Sequence, residues 1–269
     1  MQPTCTTSWS LFPPRTREGQ LDEKWAFVAK KEAHCDPADP ADDLKGDHWD
    51  HVALDPDHRL VVCVVPGKRT AENTAALVRD FRRRTSGRLM DLITTDEYAP
   101  YRGAILDAYG ETVAPPRSGK RGRPRKSYKV PPAGLTYATV HKTRSKGRVV
   151  KVEQRVIFGT AEGGRAALAR SSSSRAINTS FVERQNGTDR NRNARKVRKS
   201  YCFSKDWAVH QAITYFTMYS YNFCWPVRTL RVKGEDATWR RRTPAMAAGL
   251  ADHVWPLSEW LTLPAVHQR

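Results

Sequence analysis

No two cysteines in this sequence are spaced C-x-x-C. The five present (Cys5, Cys35, Cys63, Cys202, Cys224) are few and odd in number. That excludes a disulfide framework and points to reduced thiols in a cytoplasmic protein. The first twenty or so residues lack a charged-then-apolar pattern, so no signal peptide is visible. Long hydrophobic runs are missing as well. The most aromatic stretch, Trp207 to Trp225, is interrupted by His210, Gln211 and Asn222, and reads as a buried helix rather than a membrane span. Internal repeats are absent. Acidic side chains almost vanish between 115 and 155, where 13 Lys and Arg stand against one Asp or Glu.

What is present is enough for a core. The chain has 269 residues, 39% of them hydrophobic, with eight tryptophans. This allows one large α/β domain or two small ones and excludes a disordered tail. The net charge of +18 is unevenly spread: residues 1–114 carry 15 Lys and Arg against 19 Asp and Glu, and residues 156–269 carry 18 against 8. An acidic first half suits a cationic guest and a basic second half an anionic one, nucleic acid being the commonest.

Periodicity supplies the skeleton. "QLDEKWAFVAKK" alternates as a strand with Asp22 near its start, and "HWDHVALD" and "RLVVCVVPG" continue an antiparallel meander through the turn "DPDH". "CDPADPADDLKGD" between them is a Pro- and Asp-rich loop. Thr70 is placed to cap a helix that buries Ala75, Leu77, Val78 and Phe81. "RLMDLITTDEY" is a mostly apolar, hence central, strand ending at Asp96, and "YAPYRGAILDAYG" a short helix. After a Pro-, Gly- and Lys/Arg-rich linker from Ala114 to Pro132 come two strands around "RSKG". "SSSSRAINTS" then leads into a helix carrying Glu183, and Ser204 is expected to cap an aromatic helix reaching Phe223. Pro244 marks a further helix start.

Three strands, a helix, a strand and a helix outline an RNase H-like α/β fold. We expect a mixed five-stranded sheet with helices on both faces and a basic insertion before the last catalytic helix. Its first and fourth strands lie side by side, so Asp22 and Asp96 would project into one site and Glu183 would complete it. Three hard oxygen ligands suit Mg²⁺ or Mn²⁺. Two such ions, roughly 3.5–4 Å apart, would stabilise the attacking and leaving oxygens of a phosphodiester. Each acid also has a local alternative: Asp22 as an exposed strand charge, Asp96 as a helix cap, Glu183 as the partner of Ser180 in a capping box.

The ordered motifs "LDEKWAFVAKK", "HWDHVALD", "VVPGKRT", "TTDEYAPY", "NTSFVERQNGTDR", "FSKDWAVHQAITYFTMYSYNF" and "RTPAMAAGL" resemble the catalytic part of insertion-sequence-one family DDE transposases, over roughly residues 20–255. The family's DE-x-W, TD and VER-x-N acids fall on Asp22, Asp96 and Glu183. The resemblance implies metal-dependent cleavage of transposon ends, strand transfer to target DNA, and a homo-oligomer. It also implies a domain plan: an N-terminal remnant or extension at 1–20, a catalytic domain at 21–225 with its basic insertion at 114–160, and a helical tail at 226–269. The family's N-terminal recognition module has no counterpart before Asp22, so two expectations stand: a separately encoded or frameshift-fused module supplies it, or the gene is truncated. Gly187 replaces a usual apolar residue, and Trp225, Pro226 and Val227 stand where "RPH" is common.

The DNA contacts are expected from two basic stretches. "GKRGRPRKSY" carries Arg121, Arg123, Arg125 and Lys126, and its R-G-R-P resembles a minor-groove-reading AT-hook core. Beyond Glu183 come Arg184, Arg190, Arg192, Arg195 and Lys199; on one continuous helix, Arg184, Arg192, Arg195 and Lys199 would form a stripe facing phosphate. His34, Cys35, His48, His51, His58 and Cys63 match no usual zinc spacing. Two competing functions keep the same residues: a non-catalytic DNA-binding protein derived from a transposase, and a nuclease without strand transfer.

Overall fold

Alternating apolar residues build a sheet whose two faces are covered differently. The structure is a computed structural model and describes residues 15–115, 125–197 and 199–262. β1 (Glu18–Val28), β2 (Gly46–Asp55) and β3 (Leu60–Gly67) form an antiparallel meander. After α1 (Ala71–Arg84), β4 (Leu92–Thr95) returns parallel to β1, and α2 (Pro100–Tyr109) follows. A small pair, β5 (Glu111–Val113) and β6 (Tyr128–Val130), precedes the long hairpin of β7 (Tyr137–Ser145) and β8 (Arg148–Phe158). β7 lies parallel to β4, giving the order β3-β2-β1-β4-β7-β8. This mixed six-stranded sheet is compatible with an RNase H-like fold. The sixth strand arises because both arms of the "RSKG" hairpin pair into the sheet. Part of 114–160, expected as an insertion, is therefore sheet.

Leu21, Ala53, Cys63 and Ile93 meet Leu77, Val78 and Phe81 of α1 and Tyr101, Ala104 and Ile105 of α2 on one face. On the other, Val52, Leu54, Val61 and Val64 meet Val182 of α4 (Ser180–Arg192) and Met218, Tyr219 and Tyr221 of α5 (Trp207–Cys224). Leu92, Ala138 and Val140 meet Ala167 of α3 (Ala161–Arg170). The α3 segment was not anticipated: Gly163 and Gly164 lower its propensity, and it holds because Thr160 caps Gly163 N–H at 3.0 Å and Ala167 is buried. Pro66 sits in β3 without breaking the ladder because β3 is an edge strand.

Thr70 caps α1 as expected, accepting from Asn73 N–H at 3.3 Å. The expected cap of α5 is corrected: Asp206 accepts from Val209 N–H at 2.9 Å, whereas the Ser204 hydroxyl meets His210 Nδ1 at 2.8 Å. In the tail, a small hairpin, β9 (Val232–Lys233) with β10 (Trp239–Arg240), precedes α6 (Pro244–Ala247) and α7 (Leu257–Thr262), so the tail is not purely helical. Among the described residues no helix is long and apolar enough to cross a membrane.

Candidate active site

One face of β1 places the site. Gln20, Asp22 and Lys24 alternate with the core-facing Leu21 and all turn toward α4. The Gln20 Oε1 accepts from the backbone N–H groups of Phe181 at 3.1 Å and Val182 at 3.3 Å. This replaces the missing side-chain cap of α4, whose N-cap Thr179 offers none. The Asn186 amide donates to Asp22 Oδ2 at 2.8 Å, and Lys24 pairs with Asp189. Residues 20, 22 and 24 of the strand thus meet residues 182, 186 and 189 of the helix. Four strand steps cover about 13 Å and seven helix steps about 10.5 Å, so strand and helix remain in register over this span.

The parallel register of β1 and β4 sets Leu21 opposite Thr95, so Asp22 and Asp96 follow side by side. β7 pairs with β4 only from Tyr137 to Thr139. Beyond that the β7–β8 hairpin continues past the end of β4 and brings His141, Lys142 and Arg144 over the acids. Together these elements enclose an open cleft of about 680 Å³ lined by Asp22, Glu23, Asp96, Glu183, Asn186 and Arg190, among others. The three sequence-predicted acids therefore share one cleft.

Their local alternatives do not hold. Asp96 accepts from Tyr98 N–H at 3.0 Å in a tight turn, and α2 begins after Ala99 without a side-chain cap. Ser180 lies inside α4 and donates to Asn178 Oδ1 at 2.6 Å, so no capping box links it to Glu183. Instead Glu183 accepts from the Thr179 hydroxyl at 2.6 Å and pairs with Lys142. Arg69 bonds Glu23 at 3.0 Å and stands 3.7 Å from Asp96.

The electrostatics single out Asp22. Burial, reinforced by Asp96, Glu23 and Glu183, pushes its carboxyl up to about 7. Glu23 is also raised, by burial and then by Asp96, against the pull of Arg69. Among the described residues no three Asp, Glu, His or Cys side chains stand close enough to hold a metal ion as arranged, and Lys142 occupies Glu183.

Comparisons with known proteins add little to this geometry. No protein-family model matches the chain. No curated protein matches it. Among solved structures, a chain of the Mos1 strand transfer complex is similar over 34% of this chain and 31% of that one, at 20% identity and a TM-score of 0.23. A likeness that low carries no argument about activity.

The basic residues divide. Arg190 lines the acid cleft, whereas Arg184 lies on the other side of α4 with Arg59 and Phe181. The stripe expected from Arg184 to Lys199 is broken, because α4 ends at Arg192 and Arg195 belongs to a separate turn. Lys199 follows with φ +57°. Arg192 points inward, 4.4 Å from the Trp225 ring, and Lys196 is buried between Asp50 and Thr214, each at 2.5 Å. Arg121 and Arg123 lie outside the described residues; Arg125 and Lys126 are exposed ahead of β6. Sequence reasoning missed Gln20, Arg69, Lys142 and Asn186. Only Asn186 carried a signal, as the last letter of VER-x-N.

Proposed function

We propose that the acid cleft is a divalent-metal site for DNA phosphodiester cleavage, used as in DDE transposases to free a strand end and join it to target DNA. Asp22 carries this reading: a carboxyl at the focus of three others, raised to about 7 and bonded to the neutral amide of Asn186, is arranged for a cation rather than for a protein partner. Asp22, Asp96 and Glu183 would hold Mg²⁺ or Mn²⁺, which when bound polarises the phosphodiester and activates the attacking oxygen. Asn186 fixes the orientation of Asp22, and Gln20 fixes the first turn of α4 and thereby Glu183. Lys142 must leave Glu183 for that acid to turn inward, and its ammonium is then free for a phosphate oxygen. Arg69 has the same choice between Asp96 and substrate. In cleavage, water oxygen bonds to phosphorus as the 3′-oxygen leaves with the electron pair and takes up a proton. In transfer, the freed 3′-hydroxyl attacks in the same way.

The Lys142–Glu183 pair also favours a second reading, a DNA-binding protein that no longer cuts. Nicking of supercoiled plasmid by the purified protein with Mn²⁺, Mg²⁺ or EDTA separates the two. Metal-dependent nicking that disappears in Asp96→Asn and Glu183→Gln is the expected result. DNA binding with no metal-dependent nicking would favour the second reading, and nicking that survives Glu183→Gln would remove that residue from the site.

A further inference from the structure

α4 has two working sides. Glu183, Asn186 and Arg190 line the acid cleft, whereas Phe181, Arg184 and Thr188 line a hollow of about 630 Å³ on the other side. That hollow is completed by Arg59, Tyr221, Trp225 and Arg228. A second hollow of about 720 Å³ shares Trp225, Pro226, Val227 and Arg228 with it and extends to Arg231, Trp239 and Arg241. No acid lines either one.

Three aromatic rings in this groove are each backed by an arginine. The Arg59 guanidinium lies 4.0 Å from the centre of Phe181, that of Arg192 4.4 Å from Trp225, and that of Arg231 4.2 Å from Trp239. Each contact restrains a ring before any ligand arrives, which lowers the ordering cost of binding. Trp225 is nevertheless 50% exposed and Trp239 56% exposed. An acid-free groove of arginines with half-open indole faces fits a strand whose phosphates meet the arginines and whose unpaired bases stack on the rings. A duplex hides its base faces and could use only the arginines.

We propose that this groove binds an unpaired DNA strand, with Trp225 and Trp239 as stacking platforms and Arg184, Arg228 and Arg241 as phosphate contacts. The proposal deepens the proposed function, on which its choice of DNA rests: α4 would divide the cutting cleft from the holding groove, so that DNA leaving one side of the helix is gripped on the other. It also gives Trp225, Pro226 and Val227 a task in place of the family's usual "RPH".

Fluorescence anisotropy in EDTA, at one salt concentration, tests this without the metal site. The probes are a labelled single-stranded oligonucleotide and the duplex of the same sequence. Trp225→Ala should weaken single-strand binding about tenfold and leave the duplex nearly unchanged, while Trp225→Phe, which keeps a ring, should bind close to wild type. Arg228→Ala should weaken both probes, because a phosphate contact serves either strand form. Thermal melting checks the fold; if Trp225→Ala melts early, Trp239→Ala on the exposed hairpin takes its place with the same expectation. Wild-type single-strand binding by the alanine variant, or equal loss for both probes, overturns the proposal. Failure here with plasmid nicking intact leaves the acid cleft standing, and failure of nicking with stacking intact leaves the groove standing.

Discussion

Asp22 and Asp50 lie two registers apart on neighbouring strands, yet the protein treats them in opposite ways. Asp22 stands opposite Val52 and opens onto the cleft; Asp50 stands opposite Lys24 and is buried. Asp50 is surrounded by cations, with Lys24 at 3.0 Å and Lys196 at 2.5 Å, and these hold it well below the usual carboxylate range despite the cost of burial. Burial pulls Lys196 down to about 8, against Asp50. Asp189 completes the network by pairing with Lys24 and accepting from the Thr217 hydroxyl at 2.8 Å. Asp22 is pushed up instead, by burial first and then by the acids around it. Matched buried charges join β1, β2, α4 and α5 into one frame. Unmatched charges held beside that frame are available for a ligand.

The largest effect should come from breaking the matched set. Asp50→Ala leaves two buried lysines short of a partner and should cost about 3–5 kcal/mol in denaturant unfolding. Asp22→Asn, two residues away in the register, should leave metal-free stability unchanged or raise it, because it removes repulsion. Comparable losses in both variants would erase the distinction between the two regions.

A smaller effect is expected at the border of the frame. His48 is buried, with its ring 4.4 Å from that of Trp207 and Nδ1 3.1 Å from the Gly46 carbonyl, and burial holds it down to about 4. A folded value below the ordinary 6.5 means that its stabilising contribution is present above pH 6.5 and is lost as pH falls through 4. His48→Phe should therefore flatten the decline in melting temperature between those two values. An unchanged acid limb would show that other groups set it.

Much of this arrangement was legible in the sequence. Asp22 and Asp96 were found because the expected fold sets its first and fourth strands side by side, which brings the acid of one next to the acid at the end of the other. Glu183 was found as the one acid at the head of a basic stretch. The frame was not legible. Nothing in the strand pattern marked Lys24, because its partner Asp189 is 165 residues away. Arg195 and Lys199 read as one stripe with Arg184 and Arg192 because a helical wheel does not show where the helix stops. Ser204 and Asp206 are both good caps two residues apart, and only packing chose between them.

The smallest predicted effect returns to α4. A Cβ at Gly187 would meet nothing within 4 Å, so Gly187→Ala should stabilise the helix by about 1 kcal/mol and raise the melting temperature by roughly 2–4 °C. No change, or a loss, would mean that the glycine serves a contact absent from the free protein.

The central claim is that the unmatched acids form a divalent-cation site. Titration of metal-free protein with Mn²⁺, followed by the electron paramagnetic resonance of the free ion, tests it without DNA. Wild type should take up Mn²⁺ and Asp22→Asn and Asp96→Asn should not, while Lys142→Met, which releases Glu183, should bind it more tightly. Equal uptake by wild type and both aspartate variants, or none by any of them, would contradict the account.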